Sequence, residues 1–477
     1  MLLLFNMKIT DKNLKKGSLL VMILVFGSIF LMILISFINS VIIQRKVVNL
    51  SYSKQKSTEI AEAGLNYYRW FLSHYPGDVT NGTNQPGPYV HKYKDPEGDY
   101  IGEFSLEINS NNYCGKTSAI TVKSTAHTYD NLDVKSVVKA TYKLPTVAEY
   151  SFITNSGVVY GADRDIFGPV HSNQGIKMEG SHNSTVSSGV SNWTCTSSYF
   201  CNPDQVVPGV FSTSGNATPG LFSFPVSPVD FSGLTIDLAD MKSRAQNNGG
   251  IFYGPSGAFG YRVVFRDNQV DIYRVTSAPQ YWAYSSYEGW HKEKNIANSF
   301  NLLATHNLDS SCPLLYFEDK VWLEGNINQK VSLAAANLSS GNKTNIVINN
   351  NITYQPNSNA GLLAIAKDDI DIGLVVPNDM TANGIFVAQN GRFGRNHYYA
   401  NYLPTTYRPY VKRNSLTRFG SVVSNGRVGT KWGNSSGWLS GFNYRYTSFD
   451  VNQVNEPPPL TPETSDVYSL QDWRQDR

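Results

Sequence analysis

The chain has 477 residues, of which 16% are charged, and a formal net charge of +3; its length argues for two to four structural units at roughly 100–200 residues each. The charge content lies well below the roughly 25% of an ordinary soluble domain, and the near-neutral balance gives no reason to expect a nucleic-acid partner. With 29 Tyr, 45 Asn, 38 Gly and 22 Pro, the composition excludes coiled coil, collagen and wholesale disorder and fits a β-rich extracytoplasmic protein.

Between Ser18 and Ile43 there is no charged residue over 26 positions. About 20 apolar residues suffice to cross a bilayer as a helix. A cleaved secretory signal has an apolar region of only about 7–15 residues and a small-residue cleavage site, neither of which is seen here. The run therefore reads as a single membrane span, with nearly all the mass on one side. Charge does not orient it, because Lys8, Lys12, Lys15 and Lys16 before the run balance Arg45, Lys46, Lys54 and Lys56 after it. Beyond the span, Ile60, Leu65, Tyr68 and Leu72 recur at helical spacing, and no Pro intervenes before Pro76. One helix of about 85 Å from Ser18 to about His74 is expected at 1.5 Å per residue, ended by Pro76-Gly77.

Gly17 directly before the apolar run, the basic leader MKITDKNLKK read from Met7, and Ala61-Glu62-Ala63-Gly64-Leu65 after the run carry a resemblance. They resemble the N-terminus of type IV pilins, specifically the PilX-type minor pilin-like group. The resemblance implies cleavage by a prepilin peptidase between Gly17 and Ser18. It also implies a helix that anchors the precursor in the membrane and then packs among other pilin subunits. Major pilins of that family carry Phe and Glu at the first and fifth mature positions, where this chain has Ser18 and Met22. That departure points to a minor, tip or initiating subunit rather than a repeating one.

Residues 80–145 alternate apolar and polar in Gly102–Ile108, Ala119–Lys123 and Val137–Tyr142, with Asn-rich turns between. This is a β-meander pattern. From about Thr146 the chain becomes short β runs set in Asn, Gly and Ser. A motif recurs in Gly168-Pro169-Val170-His171-Ser172-Asn173, Gly384-Ile385-Phe386-Val387-Ala388-Gln389-Asn390 and Gly420-Ser421-Val422-Val423-Ser424-Asn425. Short strands punctuated in this way predict a right-handed β-helix-like solenoid, with Ile and Val inside and Asn laddered at the turns. Residues 221–310 break the pattern with a short helix near Leu234–Gln246 and a hairpin around Arg266–Gln269. They read as an α+β insertion. Tyr444–Asp450, the run Pro457–Pro459 and the closing Trp473-Arg474 resemble the end of β-helical domains attached to PilX-like N-termini.

The expected architecture is α+β and mostly β. It comprises a leader (1–17), a membrane and spine helix (18–75), a pilin-like meander (76–145), a solenoid in two parts (146–220 and 311–450) around the insertion (221–310), and a Pro-rich tail (451–477).

Of the four cysteines, Cys195 and Cys201 are the nearest pair and the expected disulfide of a surface loop. With no CxxC and no neighbouring His pair, neither metal nor cofactor is expected. Gly115-Lys116-Thr117 lacks the earlier Gly of a P-loop. Asp368, Asp369 and Asp371 are the carboxylates a polysaccharide-active solenoid would use, but none of the accompanying basic motifs is found, so no enzymatic role is expected. The aromatic groups Tyr281, Trp282, Tyr284, Tyr287 and Trp290, and Tyr398, Tyr399 and Tyr402, are the candidate contacts for a glycan or protein.

Function is thus expected to be structural: a minor pilin or pseudopilin-like subunit on the cell surface. Its partners would be the membrane, the prepilin peptidase and other pilin subunits, and its ectodomain would serve adhesion. A signal-anchored adhesin outside any fibre and a carbohydrate-active enzyme are the alternatives.

Overall fold

The computed structural model describes residues 17–231, 233–308, 311–434 and 437–476; the leader up to Lys16 lies outside them. The chain is mostly β and begins with one long helix, α1 (Gly17–His74). An uncharged, mostly apolar run from Ser18 to Ile43 and the absence of Pro before Pro76 build α1, and it is long and apolar enough to cross a membrane. Its two halves differ in what they touch. From Leu19 to Leu50 every residue is exposed, whereas Ile60, Ala61, Leu65, Tyr68, Phe71 and Leu72 are buried.

The buried stripe lies on an antiparallel sheet of β1 (Tyr89–Lys94), β2 (Tyr100–Tyr113), β3 (Lys116–Thr128), β4 (Asn131–Lys143) and β5 (Ser469–Asp476), in that order. Alternate residues Phe104, Leu106, Ile120, Val122, Val138 and Ala140 face the helix. The small residues of the Ala61–Leu65 segment have a steric purpose. A Cβ on Gly64 would stand 2.5 Å from Ser124 Oγ and 2.8 Å from the Phe104 ring. Tyr142 donates its hydroxyl proton to the Leu65 carbonyl at 2.9 Å, which ties β4 to α1. The expected Pro-rich tail is structured: it forms the helix Val451–Asn455 and then β5, the edge strand beside β4.

Most of the remaining strands stack in parallel in one large sheet, and antiparallel pairings join Tyr261–Asp267 to Gln269–Ser277 and Gln269–Ser277 to Ser299–Asn307. One ladder aligns Ile251, Leu315, Leu333, Ala364, Phe386, Val422, Phe152, Val170, Val186 and Phe222 at the same register position. These residues belong to a single core. The ladder order is not the chain order. The stack begins at residue 251, climbs to Ser424, continues with Phe152, and ends at Ser223. The chain therefore enters and leaves the stack near its middle. The segment 224–250 returns from one end of the stack to the other, about 43 Å at ~4.8 Å per strand spacing.

This order corrects the view of residues 221–310 as an insertion. Ile251–Tyr253 and Tyr261–Asp267 are strands of the stack's first coil, and α2 (Gly233–Asn247) is the return path, burying Leu238, Met241 and Ala245 against the outer face. Periodicity could not disclose this, because a coil's place in the stack depends on pairings hundreds of residues apart.

Asn side chains continue across the join. Asn173 donates to Asn155 at 2.8 Å, Asn155 to Asn425 at 2.7 Å, and Asn425 to the Asn390 carbonyl at 3.2 Å. The head, the α1-bearing sheet, is fastened to the stack by the Cys114–Cys312 disulfide and by Arg244 donating to the Cys114 carbonyl at 2.7 Å.

Candidate functional site

The join between the two parts of the stack is continuous on one side and open on another. One ladder carries Val422 to Phe152, and a second carries Leu416 to Arg445 and Arg445 to Arg164. On the third side Phe393–Gly394 belongs to the large sheet, with Gly394 bridged to Gly429, and Val158–Tyr160 belongs to a separate sheet with Ile176–Met178 and Val210–Phe211. A cavity of about 820 Å³ opens at this seam.

Three loops converge on it. Ser198 and Phe200 come from the short loop closed by Cys195–Cys201, which are disulfide-bonded. Ser286 comes from the turn of the aromatic hairpin Tyr281–Glu293. Arg427–Asn434, with Gly437 and Trp438, supply a further wall.

The charges are unbalanced. Arg164, Arg392, Arg427, Lys431 and Arg445 line the cavity, with Asp163 as the carboxylate among its lining residues. Lys431 and Arg445 both use Asp163, at 2.7 and 2.5 Å. Burial alone would raise the Asp163 carboxyl, but the hydrogen bond from Lys431 and the charge of Arg445 hold it below its usual range. Arg427 donates to the Ser198 carbonyl at 2.6 Å and lies 5.1 Å over the Tyr199 ring. Arg392 is paired inward with Asp371 at 3.6 Å.

Arg164 differs from the others. It is 6% exposed, and its Nε has no hydrogen-bond partner. Its guanidinium rests 5.6 Å from the Tyr160 ring. Burial, and then the charges of Arg445 and Arg418, push it well below the ordinary arginine range. Arg418 is buried beside it, 4.5 Å over Phe152, and donates to Thr447 Oγ1 at 2.9 Å.

Of the aromatic candidates, Tyr281 and Tyr398 are buried, with ring centroids 6.0 Å apart, and the Tyr398 hydroxyl donates to Glu293 at 2.7 Å. They hold the hairpin to the stack. Trp282, Tyr287, Trp290, Tyr399 and Tyr402 are exposed, and Trp290 meets Tyr402 edge-on at 5.1 Å. Tyr284 packs edge-on against Trp432 at 5.6 Å, and the Tyr287 hydroxyl accepts from the Arg427 amide at 2.8 Å. The hairpin thus braces the cavity's basic wall.

Asp368 accepts from the Thr344 amide at 2.7 Å and Asp369 from the Arg392 amide at 2.8 Å. Both cap turns, while Asp371 is buried with its carboxyl raised by burial and by Asp369. Gly17 and Ser18 are the first two residues of α1.

Sequence reasoning did not single out Arg164, Arg418, Arg445, Lys431, Trp432 or Trp438. A signal exists for three of them. Arg164 shares a strand face with Ile166, Arg418 with Leu416, and Arg445 with Thr447, and each of these neighbours is buried. An Arg in phase with the core of a strand is the pattern to look for.

No protein-family model matches the chain, and no curated protein does. Among solved structures, the competence-associated pilin ComZ from Thermus thermophilus is similar at 14% identity and a TM-score of 0.26, covering 89% of this chain and 97% of that one. At that score the likeness carries nothing for fold or role.

Proposed function

We propose that this chain is a membrane-anchored minor pilin-like subunit of the PilX type, cut between Gly17 and Ser18. Its right-handed β-helix-like domain would be displayed at the surface for adhesion, and its role would be structural rather than enzymatic. The observation that supports this most is the division of α1. Its first half exposes an uncharged, predominantly apolar surface from Leu19 to Ile43, which needs lipid or other apolar helices around it. Its second half is sealed onto the antiparallel sheet. A helix built in this way can serve first as an anchor and then as a bundle member.

Edman sequencing of the protein from cells with an active prepilin peptidase tests the proposal. A mature chain beginning at Ser18 is expected, and a chain retaining residues before Gly17 overturns it. A second reading, an anchored adhesin outside any fibre, draws on one feature: the run Ser18–Ile43 contains no carboxylate. A new N-terminal amine would find no acidic partner on a neighbouring copy, and an unpaired buried charge is costly.

A further inference from the structure

We propose that the seam cavity is the binding site for an acidic glycan, with the buried arginines receiving a sugar carboxylate and the tryptophans a sugar face. This extends the reading of the stack as a displayed contact surface and does not require that the chain join a fibre.

The cations lining the cavity outnumber the carboxylates that face them. Taking a guanidinium out of water is unfavourable unless it is paired. Arg164 and Arg445 are held at facing positions of adjacent strands, and each has a buried Nε without a hydrogen-bond partner. The nearby carboxylate, Asp163, is already shared between Lys431 and Arg445. An entering carboxylate would bring negative charge to the guanidinium groups that line the cavity and relieve the repulsion among neighbouring cations. Arg presents a planar fork that matches a carboxylate in two parallel hydrogen bonds.

About 820 Å³ is far more than one ion needs and falls within the range of organic-ligand pockets. Trp432 and Trp438 line it beside the basic groups. The Trp432 indole is fixed by donating to the Arg395 carbonyl at 2.8 Å, and the Trp438 indole by donating to the Ser440 carbonyl at 3.1 Å. Rigid aromatic faces next to fixed cations suit a ring with both apolar C–H faces and a charge. The cavity is concave and lies between coils, so a flexible chain can thread its end into it.

The cavity exists because two parts of the chain distant in sequence meet there with one of three ladders unformed. The Cys195–Cys201 loop, the aromatic hairpin and the Arg427–Asn434 segment all end on it.

The test uses the full chain in detergent micelles, titrated calorimetrically with tetragalacturonate, neutral cellotetraose, tetraglutamate and inorganic phosphate. Tetragalacturonate is expected to bind, and at least tenfold more tightly than any of the other three. Arg164→Gln should weaken it at least tenfold. Because a buried Arg variant can simply misfold, Asp163→Asn provides the opposite sign. It removes the competing carboxylate from a half-exposed position and should tighten binding severalfold, which misfolding cannot do. Equal binding of cellotetraose, of tetraglutamate or of phosphate overturns the proposal, as does no binding of tetragalacturonate or an Asp163→Asn variant that binds no better. An uncut leader at Gly17 would overturn the pilin reading and leave this one standing.

Discussion

Gly64→Val is the substitution that most sharply tests how the spine helix sits on the head. The two residue types differ by only a few tenths of a kcal/mol in helix propensity, so the outcome reports contact rather than backbone preference. The first added carbon alone would stand 2.8 Å from Phe104 Cδ2 and 3.0 Å from its Cγ. Favourable carbon contacts lie at about 3.5–4.0 Å, so the helix or the ring must move by about 0.7 Å before the two further methyl groups of Val are accommodated. The Phe104 ring cannot simply retreat, since His91 lies 5.2 Å and Tyr67 6.0 Å from its centroid. Overpacking of this kind costs about 1–3 kcal/mol, and the geometry places this case at the upper end, about 3 kcal/mol. In a domain of the head's size that lowers the unfolding midpoint by roughly 12–24 °C, read by calorimetry of the full chain in detergent. Gly27→Val is the matched control, as nothing lies within 4 Å of a Cβ there, and it should leave the transition unchanged. In a Phe104→Ala background the cost of Gly64→Val should shrink. If Gly64→Val and Gly27→Val shift the transition equally, the helix does not rest on the sheet at this height.

Two further outcomes follow from the same structure. Replacing Cys114 and Cys312 together by Ser opens a link spanning 198 residues and should cost about 2–5 kcal/mol, seen as the head and the stack melting in separate calorimetric transitions. His171 is buried between Ser187, Asn173 and the Tyr150 ring, and burial holds its imidazole below the ordinary value of 6.5. The folded state therefore disfavours the proton that the unfolded state accepts, so its contribution is constant above pH 6.5 and stability is lost as the pH falls below that value. His171→Gln should flatten the difference in melting midpoint between pH 7.5 and pH 5.

The parts of the fold legible in the sequence were those set by local pattern. The absence of charge from Ser18 to Ile43 and of Pro before Pro76 marked one long helix. Alternation in Gly102–Ile108 and Val137–Tyr142 marked strands of the head. Of the Asn residues that close the repeated motifs, Asn173 and Asn425 are joined through the Asn155 side chain, and Asn390 accepts from Asn425 through its backbone carbonyl. What could not be read depends on long-range register. Nothing near Phe152 says that it follows Val422 in the stack, nor does anything near Ser469 say that it pairs with Lys143. The site divides in the same way. The Cys195–Cys201 loop and the aromatic hairpin stood out by composition. Arg164, Arg418 and Arg445 are single residues whose inward direction becomes meaningful only once three coils are stacked.

On the proposed function, the exposed half of α1 meets lipid first and neighbouring helices afterwards. A photocrosslinking benzoylphenylalanine in place of Phe30, which is 61% exposed, tests it in the native membrane, with the same probe at the buried Phe104 as control. A covalent adduct from position 30 to the helix of another pilin-type subunit is expected, and none from position 104. Adducts from position 30 to lipid alone, in cells that are building fibres, would contradict it.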